Sequence, residues 1–190
     1  LAIMVPQVNF VINNIFLGAL SSEALAIGGI TGVFYLIFGV MGQGLNNGLQ
    51  ALISRRAGEN RVDEIGVLFN QGVIISILLS IIAIAFTYFI APSIFHSVLH
   101  DSQRANNVIE FLKIRIWGIP FLFIYQMRNA LLVGTNQSKF LIIGTATEAI
   151  FNIFFDYSLI FGHFGFAAMG LNGAAYASII SEVMGLFVIY

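Results

Sequence analysis

The sequence contains no cysteine, which excludes disulfides and thiolate metal sites from all 190 residues. Charge is nearly as scarce. Eight Lys and Arg against nine Asp and Glu make up 9% of the chain, where soluble domains carry roughly 25%. A net charge of −1 leaves no basic patch, so nucleic-acid binding has no electrostatic footprint to rest on. His96, His100 and His163 all fall in connecting segments, where surface histidines are the plain reading. A serine hydrolase working inside a bilayer would lack its buried His. An aspartyl enzyme would lack its second aspartate, because only Asp156 lies well inside an apolar stretch. No enzyme and no cofactor is expected.

What is present is apolar. The chain is 58% hydrophobic with a mean hydropathy of +0.93, the composition of an all-α integral membrane protein. A spanning helix needs about 20 mostly apolar residues, and six such runs are predicted, at about 1–19, 25–54, 64–91, 105–133, 139–161 and 170–190. The third stops at Pro92. Gly, Ser, Asn and charged residues mark the connections, which are short enough to make sequential helices antiparallel neighbours. Both ends read as cuts through helices, so the chain is expected to be part of a longer protein. The loops after the second and fourth helices hold Arg55, Arg56, Arg61 and Lys139, whereas the odd loops hold Arg104. That bias puts the even loops and the N-terminal end in the cytoplasm.

Asp156 is the residue that such a chain can least easily carry for free. It sits in Asn152-Ile153-Phe154-Phe155-Asp156-Tyr157, and from Tyr157 to Ser181 nothing carries a formal charge. Intramembrane ionisable groups are costly and mark ion or substrate paths. Thr145, Glu148, Asn152 and Asp156 are spaced three, four and four apart, which is one helix face. Its two carboxylates are about 12 Å apart at 1.5 Å rise per residue. A carboxylate, an amide oxygen and hydroxyls suit sodium, and a carboxylate alone suits a proton. The alternative is an internal ion pair or packing hydrogen bonds. On the predicted sixth helix, Gly170-x-x-Gly173-Ala174-Ala175-x-Ala177-Ser178 is a small-residue run for close packing. Ser178 offers a further hydroxyl there, and Glu182 is expected nearer the inner interface. Tyr35, Asn46 and Gln50 on the second helix, with Gln43 beside them and Tyr176 on the sixth, could line a substrate cavity or bond between helices. On the fourth helix, Lys113 and Arg115 either snorkel to the outer interface or, for Arg115, neutralise Asp156 at similar depth. Pro120 should kink that helix.

These residues, in this order, resemble the multidrug and toxic compound extrusion (MATE) transporters, closest to their bacterial branch. Carrying the likeness are Asn152-x-x-x-Asp156-Tyr157, Ile160-Phe161-Gly162-His163-Phe164-Gly165-Phe166 and Met169-Gly170-Leu171-Asn172-Gly173-Ala174-Ala175. Gln50 to Glu59, Arg115 to Pro120 and Val133 to Gln137 add to it. The resemblance implies a twelve-helix transporter of two six-helix lobes, with this chain the N-terminal lobe and a C-terminal lobe of the same protein as its partner. It implies residence in the bacterial inner membrane and export of small, often cationic organic substrates in exchange for sodium or protons. Asn152 and Asp156 match the family's fifth-helix cation positions, and Ser178 a sixth-helix hydroxyl position. In helix one, where members commonly carry an acid, this chain has Asn13. An amide ligates sodium but takes no proton near neutral pH, which leaves coupling to Asp156, alone or with Glu148. No metal beyond sodium at Asp156 is expected. A lipid-linked saccharide flippase of the same architecture and a non-transporting membrane scaffold are the alternatives; the few basic residues argue against the flippase.

Overall fold

The computed structural model of the chain describes residues 5–189, and among these everything regular is helical. The start of the predicted first helix (1–4) and Tyr190 at the end of the predicted sixth lie outside the described residues. Eight α-helices follow in order: α1 Val5–Leu20, α2 Ser22–Gly58, α3 Val62–Phe89, α4 Ala91–Val98, α5 Ser102–Arg115, α6 Ile119–Gly134, α7 Lys139–Phe161 and α8 Leu171–Ile189. Of these, α2, α3, α7 and α8 are long and apolar enough to cross a membrane.

Two features depart from the six predicted runs. The predicted fourth helix is two helices, α5 and α6, joined by a 3-10 turn at Ile116–Gly118. Pro120 has no N–H, so the Ile116 carbonyl cannot receive the usual helical bond; the Ile119 N–H, one residue earlier, supplies it. The backbone stays right-handed through Arg115, Ile116 and Gly118, so the chain tightens there without turning back. The second departure is α4, which occupies part of a predicted loop. Pro92 does not merely end α3: it stands in the first turn of α4, where its fixed φ and missing donor cost nothing. Ala91 and Phe95 bury one side of α4 against Ile109 and Leu112 of α5.

Local chemistry sets the boundaries. Ser21 caps α2 by accepting from the Ala24 N–H at 2.9 Å, and Asp101 caps α5 through the N–H groups of Gln103 and Arg104. Gly162 ends α7 with φ of 77°, a left-handed turn that glycine makes without strain. The 162–170 loop then folds back, so that the Met169 N–H bonds Leu159 O at 2.8 Å and the Gly170 N–H bonds Ile160 O at 3.2 Å. These bonds satisfy carbonyls at the end of α7 and tie it to the start of α8.

Among the described residues the core falls into four clusters, one of them Tyr125, Leu132, Leu141 and Ile189; the other three follow the length of the bundle. Near the Gly162 end are Leu17, Ile27, Val108, Leu112, Ile160, Ala174 and Ala175. Phe38, Ala83, Ile116, Ile119 and Phe123 fill the middle. Leu49, Ile53, Ile65, Met127 and Ala130 fill the Arg56 end. Hydroxyls inside the bundle mostly satisfy their own helices: Thr31, Ser80, Thr87, Thr145 and Ser158 each donate to a carbonyl one turn back. Large apolar side chains such as Val33, Leu36, Ile74, Ile81, Ile82, Ile142 and Ile150 point outward and exposed, the pattern of helices solvated by lipid rather than water.

Candidate functional site

Helices α1, α7 and α8 meet around a set of polar groups. Asn13 on α1 donates its amide to Ser178 Oγ on α8 at 3.5 Å. Asn152 on α7 donates to Ser181 Oγ at 3.4 Å, and Ser181 in turn donates to Ser178 O at 2.8 Å. Asp156 stands one turn from Asn152 on the buried face of α7 and is 0% exposed. With their NH2 groups so engaged, the two amides leave their oxygens over. Asn13 Oδ1, Asn152 Oδ1 and both Asp156 oxygens are buried without a hydrogen-bond partner. Buried polar atoms are normally satisfied, and each exception calls for an explanation. Four hard oxygens, from Asn13 on α1 and from Asn152 and Asp156 on α7, are thus left over, and oxygens of this kind are the chemistry that suits a monovalent cation.

The small-residue run on α8 explains how the two helices come close enough. Gly173 lies so near α7 that a Cβ there would sit 2.6 Å from Leu159 O and 2.7 Å from its carbonyl carbon. Ala174, Ala175 and Ala177 are buried beside it.

A second polar cluster adjoins the first. Arg115, at the end of α5, grips Glu182 on α8 with both terminal nitrogens, Nη2 to Oε1 at 2.5 Å and Nη1 to Oε2 at 3.1 Å. Nη1 also donates to Tyr35 Oη at 2.9 Å, and the guanidinium carbon stands 3.9 Å from the centre of the Tyr35 ring. Tyr35 completes the triangle by donating to Glu182 Oε1 at 3.3 Å. This corrects two expectations. Arg115 makes its ion pair with Glu182, not with Asp156, and Glu182 is buried in the bundle at 7% exposure rather than lying toward an interface. The pair rests on the 3-10 turn: a Cβ on Gly118 would overlap both Glu182 Oε2 and Arg115 Nη1.

The other residues singled out in the sequence divide. Thr145 spends its hydroxyl on Leu141 O. Glu148 is half-buried one turn before Asn152, its Cβ close against Gly185 of α8. Tyr35 belongs to the ion-pair cluster and is not free to line a cavity. Asn46 is buried, at 3% exposure, with its Oδ1 unpartnered. Gln43 is exposed and donates to Asn47 at 3.0 Å; Tyr176 is exposed and Gln50 half-buried. Sequence reasoning passed over Ser181 as an acceptor and Gln126 on α6, whose Nε2 reaches Gly39 O at 3.5 Å over the glycine surface of α2. The signal for Gln126 was available, since an amide inside a membrane helix must find a partner in a neighbour. Among the described residues no three His, Asp or Glu side chains gather as a metal site.

Comparison with known proteins is consistent across sequence and fold. The MatE family model matches residues 1–158. A probable multidrug resistance protein NorM of Synechocystis is 28% identical over 172 residues, covering 88% of this chain and 36% of the relative. Another of the same description from Halalkalibacterium halodurans is 33% identical over 141 residues, covering 73% and 31%. The chain thus spans about a third of the length of the curated relatives it matches. In fold it is similar to a MOP superfamily transporter from Pyrococcus furiosus, with a TM-score of 0.87 at 22% identity over 99% of this chain and 41% of that one. A multidrug resistance MATE family transporter in an outward-facing conformation gives 0.83, again at 22% identity with 99% and 41% covered.

Proposed function

The chain belongs to the MatE family, and from that premise we propose that it is the N-terminal lobe of a secondary transporter that exports organic compounds in exchange for sodium or protons, with Asp156 as the cation carrier. The observation behind the assignment is the group of four buried, unpartnered oxygens on Asn13, Asn152 and Asp156. Sodium takes hard oxygens of both kinds as ligands, whereas a proton would be taken by the Asp156 carboxylate alone. Because two of the three contributors are amides, only Asp156 loses a formal charge when it is occupied. Ser178 and Ser181 orient the amides through their hydroxyls, and Ser178 lies close enough to serve as a further ligand. The relatives named multidrug resistance proteins support the substrate class.

In mechanism, occupation of the site neutralises a charge at the junction of α1, α7 and α8 and draws α1 and α7 onto a common ligand. A ligand shifts a conformational equilibrium only by its differential affinity for the two states. Here that difference comes from whether Asn13 and Asp156 can reach one ion together. Rocking of this lobe against a second completes alternating access. The cavity wall is assigned to Gln43, Gln50 and Tyr176. The protein is placed in the bacterial inner membrane with the Arg56 end in the cytoplasm, where Arg55, Arg56 and Arg61 follow the positive-inside rule.

Cation-driven efflux of a fluorescent cationic dye from vesicles holding the full-length protein tests this. Asp156→Asn is expected to abolish the dependence on the cation gradient. Coupled efflux at the unsubstituted level in that variant would refute the assignment.

A further inference from the structure

Arg115 is a buried cation on the same side of α8 as a site expected to bind cations. Ser178 and Glu182 are four residues apart and so share a face of α8. Ser181, the residue before Glu182, holds the Asn152 amide, and Asn152 is one turn, about 6 Å along the axis, from Asp156. An arginine so placed is an internal rival to any ion: its planar fork fits a carboxylate well, and it is permanently charged. What keeps it away from Asp156 is Glu182.

The geometry points to Glu182 as a positioning residue that sequesters Arg115 and so keeps Asp156 open to an external cation. Both carboxylate oxygens of Glu182 are taken up by the guanidinium. Tyr35 closes the pair from α2, with its ring beneath the guanidinium and its hydroxyl bonded to both partners. Gly118 provides the floor, since any side chain there would occupy the space of the pair. Three helices and a 3-10 turn therefore hold one arginine in one place. A surface-directed role would not need this enclosure: a snorkelling arginine keeps its head at the interface, whereas Arg115 has only 14% of its side chain exposed and Glu182 8%.

The inference rests on the reading of Asp156 as the cation carrier, and the test separates the two. Sodium binding to the purified full-length protein is measured by isotope equilibrium, with proton uptake followed in parallel, for the unsubstituted protein and five variants. Asp156→Asn reports on the carrier. Glu182→Gln releases Arg115, which is expected to close on Asp156 and weaken binding of the cation by at least about fivefold, the lower end of typical site-to-site coupling. The double variant Arg115→Gln with Glu182→Gln removes the rival as well and is expected to restore affinity to within about twofold, a rescue that a purely structural role for Glu182 would not give. Arg115→Gln alone is expected to bind no more weakly than the unsubstituted protein. Arg115→Lys, a milder change that replaces the two-pronged grip by a mobile point charge, is expected to weaken binding and keeps the inference testable should Glu182→Gln fail to fold. Cation binding that survives Asp156→Asn would overturn this inference together with the carrier assignment. If Asp156→Asn abolishes binding while Glu182→Gln and Arg115→Lys bind as before, or the double variant is as weak as Glu182→Gln, the sequestering role alone is overturned.

Discussion

Gly173→Ala is the sharpest probe of how α7 and α8 meet. The added Cβ would lie 2.6 Å from Leu159 O and 3.0 Å from Ile160 N. Both are backbone atoms, so no side chain can swing aside. To reach an ordinary contact of 3.4 Å the helices must separate by about 0.8 Å. They are not free to do so, because the Met169 and Gly170 N–H groups bond Leu159 O and Ile160 O at 2.8 and 3.2 Å. Overpacking of this kind costs about 1–3 kcal/mol. Alanine returns about 0.5–1 kcal/mol of helix preference over glycine. At the midpoints of these ranges a net loss of about 1.3 kcal/mol remains, a factor of roughly 8 in the folded-to-unfolded ratio. Gly66→Ala on α3 is the matched control, since a Cβ there meets nothing within 4 Å. Thermal melting of the full-length protein in detergent, followed by loss of helical circular dichroism, should give Gly173→Ala the lower midpoint. A Gly173→Ala midpoint equal to or above that of Gly66→Ala would refute the close-approach reasoning.

Three further outcomes are expected. Gly42→Ala should destabilise by about 1–3 kcal/mol, because its Cβ would overlap Gln126 Oε1 and stand 2.8 Å from the Phe123 ring; the same melting assay reads it, and Gln126→Ala in the same chain should recover part of the loss. Ser181→Ala should strand the buried Asn152 amide at a cost of about 1–3 kcal/mol and weaken sodium binding while leaving Asp156 in place, which an isotope-binding titration measures. At the Arg56 end, hydrogen bonds from Arg55 and Arg56 hold the Glu59 carboxyl below its ordinary range. A depressed value means that the contribution is complete above the ordinary carboxylate pKa and is lost as pH falls through the lowered one. The protection factors of amides in the last turn of α2, taken after correction for the intrinsic slowing of exchange in acid, should therefore fall on acidification through that window, and Glu59→Gln should abolish that fall.

Much of this architecture could be read from the residues. Long, predominantly apolar runs announce α2, α3, α7 and α8 because lipid tolerates little else. The small residues of α8 foretell its close packing on α7, and Gly162 does end α7 as its position in a Gly-marked loop suggests. The stripe of Asn152 and Asp156 marks the buried face of α7, which the fold sets beside Ser178 and Asn13. What escaped the reading has physical causes. Helix α4 is eight residues long, too short to leave a spanning run, and it buries only Ala91 and Phe95. The 3-10 turn arises from one missing N–H at Pro120, and a proline equally announces a kink. The partner of Arg115 was ambiguous because depth along a helix does not fix azimuth. Both Asp156 and Glu182 are buried carboxylates, and packing decides that Glu182 is the one that faces the guanidinium. Tyr35 likewise reads as a cavity residue until Arg115 is seen beneath it.

The ion pair between Arg115 and Glu182 also sets an order of events at synthesis. The two residues are 67 positions apart, so at 5–20 residues per second Glu182 is made on the order of 3–13 s after Arg115. Until then Arg115 lacks its carboxylate partner, and an unpaired arginine is costly in a bilayer, up to about 2.5–3.5 kcal/mol at a helix centre. Neither α5 nor α6 is among the helices long and apolar enough to enter a bilayer unaided. The α5–α6 segment is therefore expected to insert less completely in chains cut before Glu182 than in chains cut after it, which a glycosylation-tag insertion assay measures. A chain that ends before Glu182 leaves Arg115 without the carboxylate that grips both its terminal nitrogens in the folded bundle.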